Sequence, residues 1–183
     1  MRTIMFFLFF SISAGMYGQD QDSITVTRKD GKYGVNNAEG VIIIPCNYDD
    51  IKQISPDFYR TVKDNKVGII DMKGNVVVPN LYDEIKQISP DYFQTIKDNK
   101  AGLVDMRGKV VVLNKFDSIK QIGLDFFTTT NNNKTGLIDI SGKILIPNEF
   151  EEIKMIGPNR FKTMKNGKYG IYDFSNVAET GHQ

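Results

Sequence analysis

The sequence predicts an all-β fold in which tandem 34-residue repeats form a continuous antiparallel β-meander or an open solenoid-like array. One observation is the pattern Lys-x-Gly followed by two apolar residues, whose copies begin at Lys32, Lys66, Lys100, Lys134 and Lys168. Another is the alternation of short β-branched or aromatic runs with turn residues inside each copy. A period of this length is typical of units that cannot bury an apolar face alone and therefore stack on their neighbours.

The first 18 residues predict a signal peptide for export. Arg2 precedes an apolar stretch at 4–12, and small residues follow at 13–18. That stretch is far shorter than the roughly 20 residues of a membrane-spanning helix, so we expect no transmembrane span after cleavage. Cleavage after Gly15 and cleavage after Gly18 both fit, and we expect a periplasmic, cell-surface or secreted protein.

The composition argues against a nucleic-acid partner and against stabilisation by a disulfide. The chain has 23 Lys and Arg against 22 Asp and Glu, and loss of Arg2 with the signal peptide makes the two numbers equal. A neutral chain lacks the basic footprint that nucleic acids attract. Cys46 is the single cysteine, so packing must stabilise the fold.

The repeat domain is predicted over residues 19–175, and a polar tail follows at 176–183. Residues 25–29 match the third strand of a repeat and residues 168–173 match the first, so a half-repeat lies at each end. Between these half-repeats, which are expected to cap the array, lie four complete repeats at 32–65, 66–99, 100–133 and 134–167.

An acid followed three residues later by glycine predicts the turn between the first two strands of a repeat. In the template turn, the Asp71 side chain accepts backbone N–H groups and Gly74 tolerates a positive φ. Equivalent pairs are Asp105 with Gly108, Asp139 with Gly142, and Asn37 with Gly40.

Pairs of Asp, Asn and Gly between repeats predict two-residue hairpin turns, which need positive φ at both positions. They occupy 30–31, 64–65, 98–99, 132–133 and 166–167. Each turn joins the third strand of one repeat to the first strand of the next. We therefore interpret the adjoining glycines as a structural motif; they are Gly34, Gly68, Gly102, Gly136 and Gly170.

The segment from Pro45 to Pro56 predicts a kinked strand. Its apolar residues Tyr48, Ile51 and Ile54 lie three apart, which breaks strict strand alternation. With this segment, three strands are expected per repeat. That number disfavours the alternative fold, a small closed β-propeller, because propeller blades usually have four strands.

The pattern Lys-x-Gly-apolar-apolar-Asp-x-x-Gly-x-apolar-apolar-apolar-Pro-x-x-Tyr/Phe-Asp resembles the bacterial WG repeat, also called the KWG repeat, over residues 32–173. The resemblance implies an all-β repeat domain, often in exported or envelope proteins, and supplies no catalytic residues. The family's tryptophan is replaced at every copy, by Tyr33, Val67, Ala101, Thr135 and Tyr169. Ligand contacts made by that tryptophan therefore do not transfer.

No pattern in the sequence indicates a catalytic, metal or cofactor site. His182 lies in the polar tail, without the fixed partners that a general base or metal ligand needs. The repeated turn acids offer one carboxylate each, whereas calcium takes about six to eight oxygens. We therefore predict no enzyme activity, no metal and no cofactor.

Two kinds of repeated row are candidates for binding. One contains long polar side chains, namely Lys52, Lys86, Lys120, Lys154, Gln53, Gln87 and Gln121. This row is either a striped recognition surface or a solvated face left by repeat duplication. The other rows are aromatic, at Tyr59, Phe93, Phe127 and Phe161 and at Tyr48, Tyr82, Phe116 and Phe150. Core packing is the favoured role of the aromatic rows, although exposed tyrosines would suit carbohydrate stacking.

Together these features predict a non-catalytic binding module that recognises a protein or an envelope glycan. A structural envelope component that self-associates through its edge strands is the first alternative. A hydrolase that uses aligned carboxylates is the second.

Overall fold

The computed structural model describes residues 24–175, which form 18 β-strands and, within that range, no helix. The predicted signal peptide and the polar tail with His182 lie outside the described residues. Within the described range the structure also contains no helix with the length and apolarity needed to cross a bilayer.

The strands form five antiparallel sheets, numbered 1 to 5 in chain order. Sheet 1 contains β1 (Thr25–Lys29), β2 (Lys32–Asn36) and β3 (Ile42–Tyr48). Sheet 2 contains β4 (Asp50–Ser55), β5 (Phe58–Lys63), β6 (Lys66–Asp71) and β7 (Val76–Tyr82). Sheet 3 contains β8 (Glu84–Gln87), β9 (Tyr92–Lys97), β10 (Lys100–Asp105) and β11 (Val110–Phe116). Sheet 4 contains β12 (Ser118–Gln121), β13 (Phe126–Asn131), β14 (Lys134–Asp139) and β15 (Ile144–Phe150). Sheet 5 contains β16 (Glu152–Gly157), β17 (Arg160–Lys165) and β18 (Lys168–Asp173).

The last strand of each sheet and the first strand of the next are two parts of one bent strand. Only one residue separates the two parts, and these bend residues are Asp49, Asp83, Asp117 and Glu151. At the first bend, β3 pairs with β2 of sheet 1, whereas β4 pairs with β5 of sheet 2. The continuous antiparallel meander is therefore present, and the predicted kink lies at the bend residue.

Each complete repeat contains the three expected strands when the bent strand is counted once, but the number of strands in a complete sheet is four. Sheets 2, 3 and 4 each have four strands, because each bent strand contributes one part to two sheets. The number of strands per sheet therefore does not exclude a propeller. The strand pairing at the two ends nevertheless indicates an open array. Within residues 24–175, β1 pairs only with β2 and β18 pairs only with β17, so no ladder joins the two ends.

The hydrophobic core lies between successive sheets. Ile69 of β6 packs with Phe93 of sheet 3, while its neighbour Ile70 packs with Val35 of sheet 1. Ile69 and Ile70 are both almost completely buried because successive side chains of a strand point to opposite faces. An internal sheet is thus apolar on both faces, which accounts for the unbroken apolar runs in these strands.

The turns have the geometry that their residues predict. All five hairpin turns between repeats have positive φ at both central residues, for example 52° at Asp64 and 60° at Asn65. In the other turn of the repeat, Gly74 has a φ of 87° and its amide donates to the Asp71 carbonyl oxygen at 3.1 Å.

Candidate functional site

In each of the four complete repeats, the lysine of the Lys-x-Gly motif forms an ion pair with the residue at the next bend. The pair Lys66 with Asp83 has an Nζ to Oδ1 distance of 2.5 Å, and the pair Lys100 with Asp117 has one of 2.6 Å. The other two pairs are Lys32 with Asp49, and Lys134 with Glu151. These exposed pairs form a row, here called the ion-pair ladder.

The bend carboxylate also binds the next hairpin turn. Oδ2 of Asp83 accepts the backbone N–H of Asp98 at 2.9 Å, and Asp117 accepts that of Asn132 at 2.7 Å. The hydrogen bond from Lys66, helped by the one from Asp98, lowers the pKa of Asp83. One carboxylate thereby ties two successive sheets together.

The glycine of the Lys-x-Gly motif makes room for an asparagine of the neighbouring strand. A Cβ at Gly68 would lie 2.8 Å from the carbonyl oxygen of Val78 and 2.9 Å from the Asn80 side chain. Nδ2 of Asn80 donates to the carbonyl oxygen of Thr61 at 3.1 Å and to that of Lys66 at 3.0 Å. Asn114 and Asn148 make the equivalent bonds, and Cys46 takes this position in sheet 1. These four residues have the same place in the repeat, but the sequence does not show their hydrogen bonds.

The turn acids stabilise their own turns and the stacking of sheets. Oδ1 of Asp71 accepts the N–H groups of Lys73 and Asn75 at 2.9 and 2.8 Å, and Asp105 and Asp139 do the same in their turns. Partial burial alone would raise the pKa of Asp71, but the hydrogen bonds from Asn75 and Lys73 together outweigh it and lower that pKa. A Cβ at Gly74 would lie 2.5 Å from the carbonyl oxygen of Ile43, so this turn presses on the preceding repeat.

The predicted polar row lies on the first strands of sheets 2 to 5. Its four lysines are exposed, and Lys154 pairs with Glu152 at 2.8 Å. The glutamines are less regular, because Gln53 is exposed whereas Gln87 and Gln121 are half-buried. The structure therefore places the lysines, more than the glutamines, in a uniform solvent-facing row.

Both aromatic rows pack in or against the core. Tyr59, Phe93, Phe127 and Phe161 are buried, as are Phe116 and Phe150. Tyr48 and Tyr82 are half-buried and pack against the inter-sheet clusters. Within residues 24–175, these two rows therefore offer no exposed tyrosine platform for a sugar.

A row of exposed aliphatic residues was not anticipated from the sequence. Its four members begin the last strands of sheets 1 to 4, one per repeat, and are 66, 59, 45 and 52% exposed; they are Ile42, Val76, Val110 and Ile144. Three residues further along the same strands lie exposed apolar residues, namely Pro45, Pro79, Leu113 and Pro147. We call these eight residues the aliphatic row. The runs of three apolar residues gave no sign of which member would face solvent.

Grooves between neighbouring turns are lined by carboxylates that recur from repeat to repeat. One groove, of about 540 Å³, lies between sheets 3 and 4 and is lined in part by Tyr92, Asp91, Asp105 and Asp125. Burial, together with the nearby carboxylates, raises the pKa of Tyr92. Among the described residues no three His, Cys, Asp or Glu side chains form a group suited to a metal ion.

Comparison with known proteins identifies the repeat. The family model described as "WG containing repeat" matches residues 33–66, 68–100 and 136–169, which together are more than half of the chain. None of the curated proteins compared with the chain matches it.

Among solved structures, the chain is similar to Hsv2 of two yeasts. Hsv2 of Kluyveromyces marxianus has a TM-score of 0.39 and 12% identity, over 85% of this chain and 56% of Hsv2. Kluyveromyces lactis Hsv2 has a TM-score of 0.38 and 8% identity, over 83% of this chain and 57% of Hsv2. The chain thus spans a little over half of those proteins, and likeness at this level carries neither a fold assignment nor a function.

Replacing Gly68 by alanine should destabilise the array. The added Cβ would collide with the Val78 carbonyl and displace Asn80, and overpacking of this kind costs about 1–3 kcal/mol. Urea unfolding followed by circular dichroism measures the loss. Gly157→Ala is the control, because a Cβ there meets only Arg160, at 4.0 Å. Equal midpoints for the two variants would contradict the packing role.

The ion-pair ladder should make stability sensitive to acid. Because the pKa of Asp83 is lowered in the folded protein, its stabilising contribution is complete above the unfolded value of about 4 and disappears as the pH falls through the folded value. The melting temperature of Asp83→Asn should therefore be below that of the unsubstituted protein at pH 7, and the gap should close towards pH 2. Asp57→Asn, which removes the same charge outside the ladder, should show little gap at either pH. A gap for Asp83→Asn that is constant with pH would exclude the ladder as its source.

Proposed function

The chain belongs to the family of WG containing repeats, and on that premise we propose that it is a non-catalytic interaction module of the cell envelope or secreted fraction. In this proposal it recognises a protein or an envelope polymer through a surface that repeats along the array. Its own sequence at 1–18 is the basis for proposing export.

The aliphatic row is the observation that carries the proposal. Exposed apolar residues that are scattered singly need no explanation, but here the same exposed position is aliphatic in four successive repeats. A row of this kind suits the apolar side chains of a protein partner. A glycan would instead favour exposed aromatic rings, and the phenylalanines of both aromatic rows are buried.

The lysines of the polar row support an anionic envelope polymer as the other partner class. Lys52, Lys86 and Lys120 are exposed on the first strands of successive sheets. Positive side chains at a fixed repeat can contact a polymer whose negative charges also repeat. Such contacts would weaken with salt, whereas contacts to the aliphatic row would not.

Self-association as a structural component is the second candidate function, and the exposed edge of β18 favours it. Ile171 in that strand is 61% exposed, and unpaired strand edges promote association between chains. The hydrolase alternative has less support, because a general acid at neutral pH needs a raised pKa. Six carboxyl groups of the described residues instead have a lowered pKa, namely Asp49, Asp71, Asp83, Asp117, Glu151 and Asp173.

A comparative pull-down tests the aliphatic row. We expect Val76→Lys/Val110→Lys to lose envelope proteins that the unsubstituted protein retains, because two charges would be placed in an apolar contact. Thr25→Lys/Ser118→Lys adds the same charges at exposed positions outside the row and should retain them. Binding to a glycan array is measured in parallel for all three proteins.

Identical sets of bound proteins for the three baits would exclude the aliphatic row as the recognition surface. Absence of both protein and glycan binding, together with oligomers in solution, would instead favour the structural component.

Export predicts a processed N-terminus. Mass spectrometry of the protein from the exported fraction should find a mature chain that begins at Met16 or Gln19, the residues that follow the two cleavage positions. Arg2→Glu should reduce the exported amount, because it removes the positive charge before the apolar stretch, whereas Arg2→Lys should preserve it. An intact chain that is retained in the cell would contradict the export proposal.

A further inference from the structure

Sheet 5 has no described strand in the position that β7, β11 and β15 occupy in sheets 2, 3 and 4. Its third strand, β18, pairs with β17 on one side only. In sheet 2 the equivalent strand, β6, pairs with β5 on one side and with β7 on the other. The other edge of β18, where a fourth strand would lie, is therefore unpaired among the described residues.

A cavity marks this strand position, which no described residue occupies. It has a volume of about 520 Å³, and its lining includes Phe150, Thr163, Tyr169, Gly170 and Ile171. At Gly68 in sheet 2 an added Cβ would meet the fourth strand, whereas at Gly170 it would meet only Oγ1 of Thr163, at 3.1 Å. Beside Gly170 there is therefore room for an asparagine side chain like that of Asn80, and no described residue fills this room.

Lys165, Asn166 and Lys168 line one part of this cavity, whereas Tyr169 and Ile171 give the rest an apolar character. Ile171 is 61% exposed, whereas its equivalents Ile69, Leu103 and Leu137 are completely buried. Tyr169 is 65% exposed, whereas its equivalent Val67 is 3% exposed. A surface that served only to end the array would be expected to carry polar residues at these positions.

The opposite end of the array has the polar residues that this end lacks. In sheet 1, Thr25 stands where Phe93 is buried in sheet 3, and Asn36 stands where Val104 is buried. A polar outer face on sheet 1 disfavours stacking of one copy's sheet 1 on another copy's sheet 5. The tail sequence is also unlike a fourth strand, since Ala178, Glu179 and Thr180 align with Val76, Val77 and Val78.

We propose that an extended segment of a partner protein completes sheet 5 by adding a strand beside β18. The strands β7, β11 and β15 fill this position in sheets 2, 3 and 4, and they define the sequence expected of the partner. Each has three consecutive apolar residues, then one variable residue, asparagine, a second variable residue and an aromatic residue. The partner's backbone pairs antiparallel with β18, and its asparagine amide donates to the Lys168 carbonyl and the Thr163 hydroxyl. Its aromatic residue covers Tyr169, as Tyr82 covers Val67 in sheet 2. Strand addition of this kind takes affinity from the backbone and specificity from the side-chain pockets.

A peptide with the sequence of residues 74–82, Gly-Asn-Val-Val-Val-Pro-Asn-Leu-Tyr, is the probe. Labelled at its N-terminus, it should bind the full chain saturably in a fluorescence-polarisation titration. The same peptide with leucine in place of its second asparagine should bind at least tenfold more weakly, because the amide bonds are lost.

Gly170→Ala should abolish peptide binding, because the added Cβ would occupy the place of the asparagine. Its melting temperature should fall by less than that of Gly68→Ala, since the Cβ at Gly170 meets only Oγ1 of Thr163, at 3.1 Å, whereas the Cβ at Gly68 meets a backbone carbonyl at 2.8 Å. Gly157→Ala, in the same sheet, is the matched control and should bind normally. This test is independent of the aliphatic row, which lies on other strands.

Absence of saturable binding, or equal binding by the leucine peptide or by Gly170→Ala, would overturn the proposal. If the peptide binds the Thr180→Pro variant of the full chain and not the unsubstituted chain, the chain's own tail occupies the edge of β18. That result would also overturn the proposal. A third overturning result is a dimer that Ile171→Lys dissociates while the peptide fails to bind, because a second copy would then be the occupant.

Discussion

Burial of both faces of every internal sheet is the constraint on which this structure depends. Adjacent residues such as Ile69 and Ile70 pack into different cores, so an internal sheet needs a neighbour on each face. The ends of the array must therefore differ from its middle. Sheet 1 meets this need with polar substitutions at Thr25 and Asn36, whereas sheet 5 leaves Tyr169 and Ile171 exposed. That asymmetry between the ends is the reason for proposing that a partner completes sheet 5.

The bent strand is the device that passes the chain from one sheet to the next. At Asp83 a single carboxylate binds Lys66 of the preceding sheet and the backbone of Asp98 in the following turn. The Lys-x-Gly motif is therefore occupied with structural contacts, its lysine in the ion-pair ladder and its glycine beneath Asn80. The surfaces that we propose for recognition lie away from these contacts, and they are the aliphatic row, the lysines of the polar row and the open edge of β18.

The accuracy of the sequence predictions differs between local and non-local features. The turns at 64–65 and 71–74 were predictable, because positive φ at Asn and Gly is a property of those residues and their neighbours. Four-stranded sheets were not predictable, since the bend at Asp83 divides one run of residues between two sheets. The aliphatic row was missed for a related reason: Val76, Val77 and Val78 are chemically identical, yet Val76 is 59% exposed and Val78 is 1% exposed.

The sequence by itself determined the period, the all-β class and the turns, because each depends on residue types at short, fixed separations. Only the tertiary structure decided which apolar residues face solvent, which asparagines bond across strands and which strand position is left unfilled by residues 24–175. These properties depend on a neighbouring sheet that lies a full repeat away along the chain. Ile69 and Ile171 have the same place in the repeat, and the strands that surround them make one core and the other surface.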